Sequence, residues 1–348
     1  MEITKMSYGI DVSSESFTVS QGVLFANTKN EISHTCSFTI DVKGFKSFLK
    51  YVNSLNKKYQ SNAGIQPWFV METTGVYYEK LAHFLNDKGF NVSVVLANKM
   101  KAFSRVVSPK SRTDEIDSRT IALYGLERQL QKWDPPSEFI SCLKELSREA
   151  NDLNEQVAMI KNRLHAKKHS HKPDQLVIKR LKDQITFLKK QNAQVKKQIN
   201  DVVKTNKAFS EKVKKITLVK GLREYTVVSV VAEMNEFKHA DNKRQVVSYA
   251  GLDLKIDQSG KKDSKRRISK QGNSNIRRAL YMPALSSKKH EKKLKLLYDR
   301  LCQRYNFKDK KRAIVAVMRK LLILIYTLWK NDTAYDPDYY LFNKSIAI

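Results

Sequence analysis

Four acidic residues stand out by where they fall. Asp11 interrupts the strand-like run YGIDVS, and Glu72 ends the apolar run WFVME, immediately before Thr73, Thr74 and Gly75. An ionised carboxylate among residues that favour burial is costly unless something compensates its charge, and a divalent cation is a natural compensator. Asp114 and Asp117 stand three apart in SRTDEIDSRT, which puts both side chains on one face at the start of a helix. Each has a plainer role when taken singly: Asp114 as a helix N-cap, Asp117 as a charge complementing the helix dipole, Glu72 as a surface acid. Converging from two strands and one helix, the four make a hard-oxygen set suited to Mg²⁺, with Mn²⁺ able to substitute, and to two-metal phosphoryl transfer.

A second chemistry-bearing segment lies far downstream. KIDQSGKKDSKRRISKQGNSNIRR carries nine lysines and arginines, among them Lys261, Lys262, Lys265, Arg266, Arg267, Lys270, Arg277 and Arg278, against Asp257 and Asp263. With four serines and two glycines between the charges, it reads as a backbone-accessible cradle for nucleic-acid phosphates. Its serines, Ser259, Ser264, Ser269 and Ser274, are equivalent as candidate nucleophiles on spacing alone.

The elements that must position these groups follow from periodicity. Residues 6–42 read as three antiparallel strands, GFKSFLKYVNSLNKKY as a helix with Phe45, Phe48, Leu49, Val52 and Leu55 on one face, and PWFVMETTG as a buried strand. A helix over Tyr77–Asp87, a strand in NVSVVLA and a helix over roughly 114–131 come next. Three strands followed by alternating helix and strand is the order of an α/β RNase H-like domain. From Leu143 to Leu164 and again from Ile178 to Val202 the apolar residues keep heptad spacing, with Asn192 in the second seam, which predicts an antiparallel coiled-coil hairpin across the break KKHSHKPD. These changes of character set three expected domains, 1–137, 138–212 and a mainly helical 213–348.

Lysine and arginine number 65 against 35 acids, for a formal charge of +30, and the three domains carry +4, +8 and +18 in turn. So large an excess implies a polyanionic partner, nucleic acid first. Cys36, Cys142 and Cys302 are isolated, which excludes a zinc ribbon or a disulfide framework. The apolar stretch Ala313–Trp329 is broken by Arg319 and Lys320 and is short for a membrane span. It predicts a buried helix, and with no basic-then-apolar leader the expectation is a cytoplasmic protein associated with the nucleoid.

The segments YGIDVS, VMETTGVY, SRTDEIDSRTIA, KGLREYTVVSVVAEM, FKHADNKRQVVSYAGL and DQSGKKDSKRRISKQGNSNIRRAL together resemble the DEDD transposases of bacterial insertion sequences and the related Piv-type DNA invertases. The resemblance implies a RuvC-like N-terminal domain holding metal on Asp11, Glu72, Asp114 and Asp117, a coiled-coil insertion, and a C-terminal domain whose catalytic serine falls on Ser259, next to Gly260. It further implies strand exchange through a phosphoserine link, donor and target DNA as substrates, a structured guide RNA, and a homo-oligomer, dimer or tetramer. With the two sites in different domains, an active centre shared between protomers is expected. Two departures are Ser14, where the family often has lysine, and Lys220–Gly221, where it often has proline–glycine. The rival expectations are a metal-dependent endonuclease of branched DNA and a non-enzymatic nucleic-acid-binding protein.

Overall fold

The structure, a computed structural model, describes residues 2–33, 35–57, 64–73, 75–107, 113–255, 258–259, 262–263, 267–304, 307 and 309–338, with the backbone alone at 258–259 and 262–263. The chain divides into two compact units, Met1–Pro135 and Pro136–Ile348.

In the first unit β1 (Ile3–Val12) and β2 (Ser16–Phe25) pair antiparallel, with Asp11 opposite Thr18. The expected third strand arrives as two short pieces, β3 (Asn30–Ile32) and β4 (Cys36–Thr39), both antiparallel to β2. Helix α1 (Val42–Lys57) leads to β5 (Trp68–Glu72), parallel to β1, and α2 (Tyr77–Asp87) leads to β6 (Asn91–Val95), parallel to β5. The sheet order is β3-β2-β1-β5-β6, with β4 also on β2. Helices α3 (Ala97–Val107) and α4 (Asp114–Glu127) complete the unit. Helix α3 has no counterpart among the expected elements, its buried face amounting to Met100 and Phe103, and α4 ends at Glu127, short of the expected 131.

Strand alternation sorts the sheet's side chains into two cores. Tyr8, Ile10, Phe69 and Met71 join Phe48 and Val52 of α1 and Leu81 and Leu85 of α2 in one cluster. Val70, Val95, Met100, Phe103 and Ile121 form the other, with α3 and α4. Ser7, Gly9 and Asp11 are out of step with Tyr8 and Ile10, so they face α4. Glu72, in step with Val70, lies on that same face.

Glycine lets α4 lie directly on β1. A Cβ at Gly9 would sit 2.1 Å from the Ala122 nitrogen and 2.2 Å from the Ser118 oxygen, and one at Gly125 would sit 1.9 Å from the Ser7 hydroxyl. Lys5 Nζ secures the far end of the helix, donating to the carbonyls of Leu126 (3.2 Å) and Arg128 (2.6 Å). The lateral position of α4, and with it of its first turn, is therefore set by strand–helix contact at backbone distance.

The second unit is helical. Helices α5 (Glu138–Lys168) and α6 (Gln175–Thr205) form a long hairpin, started by the side chains of Ser137 and Asp174, which accept hydrogen bonds from Ile140 N and from Leu176 and Val177 N. Asn192 sits buried in the seam and donates to the Ala150 carbonyl at 2.7 Å. Next come α7 (Lys207–Thr217), α8 (Glu224–Glu233), a 3₁₀ turn (Asn235–Phe237), α9 (Lys243–Tyr249), α10 (Ser274–His290), α11 (Lys292–Arg304) and α12 (Lys310–Asn331). The base of the hairpin, through Ile140, Leu143, Ile199 and Val203, belongs to the same core as α8, α10 and α12. Helix α12 is the expected buried helix, and among the described residues no helix is long and apolar enough to cross a membrane.

The basic segment is more regular than a loop. β7 (Leu254–Lys255) pairs antiparallel with β10 (Arg267–Ile268), and between them β8 (Gln258–Ser259) pairs with β9 (Lys262–Asp263). The four strands thus make two antiparallel pairs, β8–β9 falling between β7 and β10 in the chain. The stretch DPDYYLFNKSIA near the C-terminus lacks periodicity and reads as an irregular tail; from residue 339 on it lies outside the described residues.

Candidate active site

Asp11 occupies the penultimate position of β1, half-buried and turned toward α4. The parallel register Ser7–Trp68 through Ile10–Met71, carried one residue further, sets Asp11 beside Glu72 at the carboxyl end of β5. On α4 the N-cap is Thr113, whose hydroxyl accepts from Ile116 N at 3.2 Å, so Asp114 is not the cap. Asp114 and Asp117 fall in the helix's first turn, on the half of α4 that lies N-terminal to the Ser118–Gly9 contact. Burial, and then the charges of Asp117 and Asp114, push the Asp11 carboxyl up to about 6 against the lowering effect of the Val12 amide.

This donor set fits a hard divalent cation. It is all oxygen, and burial together with the charges of Asp117 and Asp114 raises the Asp11 carboxyl to about 6, a shift that a nearby cation would oppose. Among the described residues no three His, Cys, Asp or Glu side chains stand close enough to form a coordination shell.

The basic segment is partly accounted for. Arg267 and Lys270 are exposed, as phosphate-gripping side chains must be. Arg277 turns inward: one guanidinium nitrogen donates to the carbonyls of Ala250 (2.8 Å), Gly272 (3.1 Å) and Asn273 (3.3 Å). Arg278 reaches Glu155 of α5 at 2.6 Å and Asp152 at 3.9 Å. Ser259 pairs with Lys262 through the backbone; the side chains of Ser259 and Lys262, and all of Gly260, Lys261, Ser264, Lys265 and Arg266, lie outside the described residues. Ser269 is tied down, its hydroxyl donating to the Asp253 carboxylate, and Ser274 opens α10.

Sequence reasoning missed a polar centre beneath this segment. Glu233, the last residue of α8, has a side chain 3% exposed and accepts from Arg148 Nε at 2.6 Å and from Arg148 Nη2 at 3.0 Å. Asn273 and Asn275 donate their side-chain amides to it at 2.7 and 3.1 Å. Its signal was present in the sequence: one acid closing the apolar run VVSVVAE, the same reasoning that singled out Asp11. A shallow cleft of about 420 Å³ at the start of α8, lined by Lys196, Asn200, Thr217, Arg223, Glu224 and Tyr225, was also unforeseen.

Comparison with known proteins agrees with this layout. Residues 8–170 match a transposase family model of the DEDD type, and residues 213–299 match the Transposase IS116/IS110/IS902 family. The pilin gene-inverting proteins of Moraxella bovis and Moraxella lacunata are each 24% identical over 339 residues, covering 96% of this chain and 98% of their own. The crystal structure of the Aquifex aeolicus Ppx/GppA family member aligns over 95% of this chain and 92% of its own, at 10% identity and a TM-score of 0.22, too low to carry an argument about fold. The two family matches follow the two chemistry-bearing regions, acidic first and basic second, and the inverting proteins are similar along almost the whole chain. The chain belongs to the IS110 family of DEDD transposases, enzymes that recombine DNA.

Proposed function

We propose that this enzyme exchanges DNA strands through Ser259, working with a divalent cation held by Asp11, Glu72, Asp114 and Asp117. The observation that carries the metal half is Asp11 itself: a half-buried carboxyl on the α4 face, raised to about 6 by burial and by Asp117 and Asp114. The strand order β3-β2-β1-β5-β6 around it supports a RuvC-like, RNase H-type unit, and Asn192 in the α5–α6 seam supports a coiled-coil hairpin. A bound Mg²⁺ supplies positive charge to the phosphate oxygens and to the departing sugar oxygen. Ser259 Oγ forms a bond to phosphorus as the phosphorus–sugar oxygen bond breaks; the serine proton is given up and the displaced hydroxyl takes one. Phosphodiester replaces phosphodiester, so reversal onto a new strand rejoins the DNA without another energy source. The exposed cations of the basic segment hold phosphates.

The family resemblance extends the reading to a guide RNA pairing with donor and target DNA, and to an active centre made of the carboxylates of one protomer and the serine of another. Ser259→Ala is expected to abolish both recombination and the covalent protein–DNA adduct, and Asp11→Ala to abolish recombination. Normal recombination by Ser259→Ala would refute the covalent step and favour a branched-DNA nuclease. Partial rescue on mixing Ser259→Ala with Asp114→Ala protein supports sharing between protomers; no rescue at any ratio opposes it. The likeness to pilin gene-inverting proteins favours a second outcome of the same chemistry, inversion of a segment, which the arrangement of the DNA ends would select.

A further inference from the structure

We propose that Glu233 is a positioning residue for strand exchange: its buried carboxylate seats both strands of the β7–β10 pair that flanks Ser259 and so aligns that serine. The inference rests on the reading of Ser259 as the nucleophile.

A carboxylate is acceptor-only, with room for about four donors, and Glu233 is filled. Oε1 takes Arg148 Nε and the Asn275 amide, and Oε2 takes Arg148 Nη2 and the Asn273 amide. Asn273 is locked on its other side as well. Its Oδ1 caps α10 by accepting from Asn275 N (2.9 Å) and Ile276 N (3.4 Å), and its own N–H donates to the Tyr249 carbonyl at 2.7 Å. From there backbone bonds run into the two strands without a gap: Lys270 N to Gly251 O at 3.1 Å, Ser269 N to Asp253 O at 2.8 Å, then the β7–β10 pairs. Tyr249 hangs from the same residue, its hydroxyl donating to the Glu233 carbonyl at 3.4 Å. Residues 249–255 and 267–273, which carry the two strands, are thus referenced to one side chain at the end of a buried helix.

Stability alone does not account for this choice. A buried ion pair is a weak source of net stability, often matched or exceeded by apolar residues of the same volume, and its attested use is to fix register. Fixed register is what a strand pair flanking a nucleophile requires, since a displacement of about 1 Å at a reacting centre costs on the order of a hundredfold in rate. The tie to Arg148 also joins that pair to α5, the first helix of the long hairpin.

The test uses the full-length protein and a plasmid carrying the gene with its native flanking DNA, scored for new recombination junctions. Glu233→Gln turns one acceptor into a donor that faces an Arg148 N–H and either the Asn273 or the Asn275 amide. Junction formation is expected to fall on the order of tenfold to a hundredfold, more than affinity for the same DNA falls. The amides of Ser269, Lys270 and Asn273 are expected to exchange with solvent about tenfold faster, while those of α12 keep their protection. Adding Asn273→Asp to Glu233→Gln restores an amide–carboxylate bond with its polarity reversed, keeps a good N-cap, and should recover most of the lost rate. Two results overturn the proposal: parental junction formation by folded Glu233→Gln protein, or a loss that tracks a global rise in exchange and is not recovered by the second change. Ser259→Ala is scored alongside; if it recombines normally the nucleophile reading fails, and the exchange pattern still decides whether Glu233 seats the strand pair.

Discussion

Gly9→Ala adds one methyl group where α4 crosses β1, two residues from Asp11. The new carbon would lie 2.1 Å from the Ala122 nitrogen and 2.2 Å from the Ser118 oxygen, at least about 1.2 Å short of ordinary contact. Both obstacles are backbone, so no side chain can swing aside and the helix itself must shift. Overpacking of this kind costs about 1–3 kcal/mol, and that outweighs the roughly 0.5–1 kcal/mol that alanine gains over glycine inside a strand. For a unit of this size the net loss should lower the melting temperature by up to about 10 °C. Recombination should fall further than stability predicts, on the order of a hundredfold, because the turn bearing Asp114 and Asp117 moves with the helix. Thermal unfolding and junction counting on the full chain measure the two effects. Gly64→Ala, whose Cβ would meet nothing within 4 Å, serves as the control. A Gly9→Ala protein within about 0.5 kcal/mol of its parent and recombining normally would refute the idea that this contact sets the acidic face.

Three further outcomes follow from the same structure. Asp11 is raised from 3.8 to about 6 by burial and by Asp117 and Asp114, so its contribution to stability is fully present below 3.8 and lost as pH rises through 6; in ion-free protein Asp11→Asn should melt higher at neutral pH, and added Mg²⁺ should raise the melting temperature of the parent but not of the variant. For Glu233, burial raises the pKa, but the Arg148 hydrogen bond and charge, then Asn273 and Lys144, outweigh it and hold the group below its ordinary 4.5. Its contribution is therefore present above 4.5 and lost as pH falls through the folded value, and urea titrations should show that acid slope in the parent and not in Glu233→Gln. Asn192→Leu replaces a buried amide bonded to the Ala150 carbonyl; unfolding by urea should show a stabilisation of about 1 kcal/mol, since the seam gains apolar burial while losing a register-fixing group.

What could be read from the sequence was whatever local chemistry made costly to place elsewhere. Asp11 and Glu72 were legible because an acid among buried strand residues is conspicuous, and the α5–α6 hairpin because its heptads run for many turns. Glu233 obeys the same rule as Asp11, yet it stayed hidden because its partners, Arg148, Asn273 and Asn275, come from distant stretches with no pattern linking them. Gly9 and Gly125 were equally silent: a glycine in a strand or a helix announces weakness, and only the packed pair shows that its missing side chain is the contact. Arg277 and Arg278 show the reverse. Composition enrols them with the phosphate-binding cations, while the fold gives Arg277 three backbone carbonyls and Arg278 the carboxylate of Glu155. The paired strands of the basic segment leave no mark in the sequence because each is two residues long, too short for alternation to register.

The long helical hairpin is unequal along its length. Near its base α5 buries Ile140, Leu143, Ala150 and Leu153 in the shared core, whereas beyond Leu153 none of its described residues is fully buried. Glu155 is still reached by Arg278 of α10, and farther out the buried side chains of the described pair are those of α6, Ile178, Leu181 and Ile185, so the arm's length is set apart from the core at its base. Matched heptads could be added or removed on either side of the turn at residues 169–174, each changing the arm by about 10 Å, with no core residue replaced. Reach, in this enzyme, is an adjustable quantity attached to a body whose other dimensions are fixed.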